Sequence, residues 1–331
     1  MISTSIDLDA VGTHKGYLDV PLSLNDSAWS NQRVPIVSIK GGDGPTLLLL
    51  GGSHGDEYEG PIVLSNLVHG RVPLEGLNGQ IIVLPALNMP AVQHGTRLSP
   101  LDGGNMNRAF PGDRYGTMTA RLAHYLTTEL IPRADIVVDL HSGGKSLSFV
   151  PCTIVPQQKT EQATEAILEL AAAFNAPFTV VLKEPEVATM IDTQVEAQGK
   201  KILATELGGL GTATPDTVAI ATDGVLGLMR HLDLLPESAL PSQGHRERSQ
   251  IVRVDDLSHY VYADDAGILE PLVDVGATVE QGAPLGWLHF IDRVDRAPVC
   301  VRAQTSGTMV CRNGQARVQR GDVIAMIGHV V

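Results

Sequence analysis

His54 and Glu57 stand three residues apart in TLLLLGGSHGDEYEG (46–60), directly after an apolar run. An imidazole and a carboxylate at that spacing can converge on one cation if the chain turns into a helix there. Taken alone, H-x-x-E is a weak motif, and a surface histidine beside solvated acids is its ordinary explanation. A phosphate loop fits worse, because GGSHGDEYEG has no Gly-Lys-Ser/Thr ending and its three acids would repel phosphate. His141, at the end of the apolar run in DIVVDLHSGG, is the next piece. Alone it could satisfy a core hydrogen bond. Joined to His54 and Glu57, it completes two imidazoles and one carboxylate, the ligand count of a hydrolytic zinc site with a position open for water. Asp139, two residues earlier and on the same side of a strand, is either an acceptor that orients an imidazole or an ordinary strand-end acid.

Two further segments offer what amide hydrolysis needs besides a metal. RLSPLDGGNMNRAFPG (97–112) is glycine-rich and carries Arg97, Asn107 and Arg108. Guanidinium forks suit both a substrate carboxylate and a developing oxyanion, while a solvated basic loop is the plainer alternative. KILATELGGLG (201–211) places Glu206 at a strand end beside glycines, where a general base for a metal-activated water would stand.

The elements that must position these groups are legible as β-rich runs at 46–51, 81–86, 135–140 and 201–207, separated by helical patterns such as GPIVLSNLVHG and TEQATEAILELAAAF. Alternating strands and helices predict a largely parallel sheet covered on both faces. The polar residues gather where those strands end, and ligands of open α/β sheets bind at the carboxyl ends of strands. At 331 residues the chain suits two domains. PESALPSQGHRERSQ (236–250), polar and carrying two prolines, predicts a linker, so that residues 1–245 form the catalytic domain and 246–331 a β-rich one. Within the latter, GILEPLVDVGATVEQGAPLGWL (267–288) and GTMVCRNGQARVQRGDVIAMIG (307–328) share glycine spacing and a V-x-x-G before an apolar strand, which predicts a small quasi-symmetric unit. It resembles the biotinyl/lipoyl-like barrel-sandwich, but no lysine follows Lys201, so a structural or access-shaping role is expected instead of cofactor carriage.

Composition narrows the partners. With 43% hydrophobic and 18% charged residues the chain reads as a folded globular protein. A net charge of −13 argues against nucleic acid. The N-terminus lacks a basic-then-apolar leader and no 18-residue apolar run exists, so export and membrane insertion are not expected. Cys152, Cys300 and Cys311 lack metal-pair spacing and fit structural thiols in a reducing compartment, the cytoplasm.

In this order, H-G-D-E, N-R, D-L-H and T-E-L-G resemble the succinylglutamate desuccinylase/aspartoacylase family of zinc acylases, relatives of zinc carboxypeptidases, over about residues 35–331. Length and motif wording are most similar to members of ectoine breakdown that act on N-acetyl-L-2,4-diaminobutyrate. The resemblance implies a zinc-carboxypeptidase-like α/β fold with one Zn²⁺ per chain on His54, Glu57 and His141, and Glu206 as the base that also protonates the leaving amine. It further implies Arg97 polarising the acyl carbonyl, Asn107 and Arg108 on the α-carboxylate, a small-molecule N-acyl amino acid as substrate, and a homo-oligomer. Some relatives contribute a tail tyrosine, for which Tyr260 and Tyr262 are the candidates here. Asp56 and Glu59 then read as acids at a helix start or behind the ligands.

No arginine lies between Arg133 and Arg230, whereas Glu184, Glu186, Asp192 and Glu196 crowd one stretch. Among family substrates this favours a cationic side chain, as in N-α-acetyl-L-2,4-diaminobutyrate, over a dicarboxylate that needs a second guanidinium, although Lys145, Lys183 and Lys200 could serve one. A carboxypeptidase, and an inert zinc-binding or interaction protein, are the remaining alternatives.

Overall fold

The computed structural model describes residues 1–70, 76–158, 160–183, 188–236 and 247–331. After the short β1 (Ser3–Thr4), a long hairpin, β2 (Gly12–Leu24) and β3 (Ser27–Lys40), flanks the parallel strands β4 (Thr46–Gly51), β5 (Gln80–Leu84), β6 (Ile136–His141) and β10 (Lys201–Glu206). Helix α1 (Glu59–Val68) follows β4, and α2 (Met89–His94) and α3 (Met118–Tyr125) lie between β5 and β6. Beyond β6 come β7 (Leu147–Phe149), β8 (Cys152–Pro156), α4 (Glu161–Phe174), β9 (Phe178–Leu182) and α5 (Ile191–Ala197), and α6 (Pro215–His231) follows β10. The result is a mixed sheet with β8 antiparallel to β10 but parallel to β9.

Alternation within the strands explains why helices cover both faces. Leu47 and Leu49 of β4 join Val138 and Leu140 of β6 in a core shared with α1, α4 and α6. Leu48 and Leu50 point the other way, into a core with Met118 and Leu122 of α3 and Ile191 and Val195 of α5. Period-two side chains that are apolar on both faces are what a central parallel strand requires.

The first expected helix starts later than the motif suggested. Helix α1 begins at Glu59, so His54 and Glu57 sit on the turn before it and not on the helix. Two glycines make that turn possible. Gly52 takes φ +66°, and any Cβ on Gly55 would lie 1.9 Å from the Ala91 carbonyl carbon of α2.

Past 246, β11 (Gln250–Val254) pairs parallel with β9 and antiparallel with the last strand, β19 (Val323–Val330). Between them lie β12 (Tyr260–Tyr262), β13 (Gly267–Pro271), β14 (Thr278–Val279), β15 (Pro284–His289), β16 (Val299–Arg302), β17 (Gly307–Asn313) and β18 (Arg317–Val318). The large sheet therefore runs on into the C-terminal unit, and β7 pairs with β17. The internal repeat is visible as an exchange: β14 of the first copy pairs with β17 of the second, and β18 of the second with β13 of the first. Leu269, Leu285, Leu288, Met309, Val318 and Ile327 share one core between the four-stranded sheet β16-β15-β13-β18 and the strands around β19. Most of the expected linker, 237–246, lies outside the described residues, and Gln250 already belongs to β11.

Candidate metal-centred active site

Three adjacent parallel strands end at one place. β4 leads to His54 and Glu57, β6 ends on His141 and β10 ends on Glu206, with Glu206 opposite His141 in register. The two imidazoles present Nδ1 to the two oxygens of one carboxylate: His54 Nδ1 is 2.7 Å from Glu57 Oε1, and His141 Nδ1 is 2.7 Å from Glu57 Oε2. All three residues are buried, and their ligand atoms lie within 4.8 Å of one another.

The outward nitrogens are tied down separately. His54 Nε2 lies 3.1 Å from Asn105 Oδ1 and His141 Nε2 lies 2.9 Å from Asp139 Oδ2, while Ser53 donates to Asp139 Oδ1. With Nε2–H donated outward, the neutral ring keeps its lone pair on Nδ1, aimed at the centre. The backbone N–H of Ser142 adds a bond to Glu57, and the Thr205 hydroxyl accepts from the His141 N–H and donates to its carbonyl. This donor set fits a divalent ion: two nitrogens and one carboxylate, pre-aimed and fixed by outer partners.

Burial would raise Glu57, but His141 and His54 outweigh it and hold its carboxyl at about 2. Burial also works against the charged form of His141, yet Asp139 and Glu57 lift its pKa well above the ordinary value. A divalent cation bound here would displace the proton that these groups share, because metal ligands are deprotonated. Glu206 is the exception: burial, then the charge of Glu57, pushes its pKa up to about 8, and its Oε2 is enclosed without a hydrogen-bond partner.

Arg97 reaches the centre, with Nη1 3.2 Å from His54 Nδ1 and 3.4 Å from Glu57 Oε1. Asn107 and Arg108 sit in a short turn, Met106–Arg108. Asn107 Oδ1 accepts from the backbone N–H of Ile191 at the start of α5, and Arg108 donates to the Asn107 carbonyl. Asp56 accepts from the Lys145 N–H in the loop after β6, and Glu59 opens α1 and accepts from Thr217 of α6. Asn105, Ser53 and Thr205 escaped sequence reasoning; a lone Asn or hydroxyl residue in a turn or strand carries no periodic signal.

A cleft of about 390 Å³ lies beside this centre, lined by Arg97, Ser142, Glu206, Asn313, Arg317 and Asp322 among others, and not by His54, Glu57, His141, Asn107 or Arg108. The C-terminal unit thus supplies one wall. That changes the charge argument made from residues 133–230, because Arg317 and Asp322 both come from outside that interval. Within it, Glu196 accepts from Gln158, and Glu184 and Glu186 lie outside the described residues. Neither Tyr260 nor Tyr262 lines the cleft. Among the described residues no helix is long and apolar enough to cross a membrane.

The chain is similar to known proteins along its whole length. A model of the succinylglutamate desuccinylase/aspartoacylase catalytic domain matches residues 43–232. N-alpha-acetyl-L-2,4-diaminobutyric acid deacetylase of Halomonas elongata is 40% identical over all of this chain and 95% of its own length. The product-bound structure of the ectoine utilization protein EutE (DoeB) from Ruegeria pomeroyi superposes with a TM-score of 0.93 at 38% identity, covering 99% of this chain and 98% of that one. A succinylglutamate desuccinylase/aspartoacylase from Rhodobacter sphaeroides gives 0.93 and 38% over 100% and 99% of the two chains.

Proposed function

The chain belongs to the succinylglutamate desuccinylase/aspartoacylase family, and from that premise we propose that it is an amidohydrolase releasing acetate from N-α-acetyl-L-2,4-diaminobutyrate, in ectoine catabolism, with one Zn²⁺ per chain. The observation that carries the substrate is the 40% identity, along the whole chain, to a deacetylase of that compound. The convergence of His54 and Glu57, after β4, with His141, at the end of the adjacent β6, supports the metal. A cytoplasmic location and a homo-oligomer go with this reading.

His54, Glu57 and His141 would hold the ion, which when bound supplies a Lewis acid that lowers the pKa of water from ~15.7 towards ~7 and polarises an acyl carbonyl. Glu206 takes the proton of the attacking water at its carboxylate. The same carboxyl, now protonated, delivers that proton to the leaving amine. On this reading Arg97 donates to the developing oxyanion, and Asn107 with Arg108 hold the α-carboxylate. Residues 246–331 act as a second domain that narrows the cleft and keeps long peptides out.

One observation favours a second substrate reading. Arg317 in the cleft is the kind of group a dicarboxylic N-acyl amino acid would use, although Asp322 lines the same cleft. Acetate or succinate release by zinc-loaded protein from N-α-acetyl-L-2,4-diaminobutyrate, N-acetylaspartate and succinylglutamate, side by side, tests both. Preference for a dicarboxylate would overturn the diaminobutyrate assignment and leave the hydrolytic centre standing; failure on all three would overturn the N-acyl amino acid reading and leave a carboxypeptidase, tested on short peptides, or an inert zinc-binding protein.

A further inference from the structure

A second cluster of metal-ligating type lies outside the cleft, at the seam where β11 meets β19. Asp255, His259 and His329 each offer one ligand atom, and these atoms lie within 4.8 Å of one another. The fold brings them together from two sides: Arg253 of β11 pairs with His329 of β19, Asp255 follows two residues later, and His259 ends a short turn (Leu257–His259) that leads into β12.

His259 is 6% exposed, and its Nδ1 lies 2.7 Å from the Ile327 carbonyl oxygen. A carbonyl only accepts, so Nδ1 carries the proton and the neutral ring keeps its lone pair on Nε2, the arrangement of a metal-binding imidazole fixed by its other nitrogen. The His329 ring is 5.3 Å from that of His259, and His329 Nε2 is 3.3 Å from Asp255 Oδ2. Arg253 donates to the other oxygen, Oδ1, at 3.0 and 3.1 Å, which leaves Oδ2 turned to the histidines. The guanidinium also opposes a cation, so this site is weaker than the buried triad at the strand ends. His329 and Asp255 are partly exposed, which gives an ion a way in.

We propose that Asp255, His259 and His329 form a second site for a borderline divalent transition-metal ion, for which Zn²⁺ is the probe. Two imidazoles and one carboxylate select such an ion over Mg²⁺ or Ca²⁺, which take oxygen ligands. Bound there, it ties the segment that follows β11 to the last strand, β19, since Asp255 and His259 come from one and His329 from the other.

The test is Zn²⁺ stoichiometry of the full-length chain, by equilibrium dialysis at about 100 µM free Zn²⁺ and elemental analysis, for the parent, His329→Ala and Asp255→Asn. Each variant is expected to bind one equivalent fewer than the parent, with its amide hydrolysis unchanged. The thermal shift produced by the last equivalent is expected in the parent and not in the variants. His329 is the preferred target because it is half exposed, and retained hydrolysis shows that the variant is folded. Equal stoichiometry in parent and variants overturns the site.

Discussion

A carboxyl enclosed beside another carboxylate is costly to ionise, and Glu206 is in that position, up to about 8 through burial and the charge of Glu57. Removing its acidity while keeping its shape isolates its part in proton transfer. Glu206→Gln is expected to leave metal content intact and lower kcat by about 10²–10⁴-fold, the usual worth of a positioned acid–base group; elemental analysis with steady-state kinetics checks it, and unchanged turnover would remove the proposed mechanism. Asp139 is different, since it meets His141 Nε2 and not the centre. Asp139→Ala is expected to weaken Zn²⁺ binding by about 10–100-fold in chelator competition, as loss of an outer partner of a ligating histidine does. Cys152 and Cys311 are buried against the same strand ends, and burial together with Glu206 raises both thiols well above the ordinary value. They are expected to resist maleimide in the folded protein while the partly exposed Cys300 reacts.

At the scale of elements, the segment that carries Arg97, Asn105 and Asn107 is anchored by Asp102. Its carboxylate accepts from the backbone N–H and hydroxyl of Thr119 in α3 and from the N–H of Gly104. Burial disfavours its charge, but these donors outweigh it and hold Asp102 below the usual range. A lowered folded pKa gives stability that is present above the unfolded value of ~3.9 and is lost as pH falls through the folded one. Asp102→Asn is therefore expected to cost about 1 kcal/mol in urea unfolding at neutral pH, with the gap to the parent closing below about pH 4; a gap that persists under acid would assign it to packing. Such loops show where sequence reasoning reaches its limit. Strand β4 was legible because four consecutive leucines with β-rich neighbours satisfy two apolar faces, and His141 because it ends such a strand. The position of Glu57 on a turn instead of a helix, and the contact of Asn105 with His54, depend on how the chain closes up 51 residues later, which no local pattern encodes.

At the scale of the whole molecule, the cleft belongs to both halves of the chain. The residues on either side of β7 bond directly to the C-terminal unit: Val150 N–H donates to the Val310 carbonyl, and Gly314 N–H to that of Ser146. Those bonds set Arg317 and Asp322 in the cleft with Glu206 and Arg97, although more than 100 residues separate Arg317 from Glu206 in the sequence. The cleft wall thus offers both signs of charge, and the charge on the substrate side chain decides which one matters. For N-α-acetyl-L-2,4-diaminobutyrate, with its ammonium, Asp322→Asn removes an attraction and Arg317→Ala a repulsion. Both groups are exposed, where one charge pair is worth up to about 1 kcal/mol, or about fivefold in affinity. Asp322→Asn is accordingly expected to raise KM for this substrate by up to about fivefold with kcat little changed, and Arg317→Ala to lower or leave KM. On N-acetylaspartate the two variants should exchange signs. Kinetics of both variants on both substrates, at low ionic strength where screening is least, check this; a rise in KM for the cationic substrate in Arg317→Ala would mean that the guanidinium holds the α-carboxylate, a role proposed above for Asn107 and Arg108.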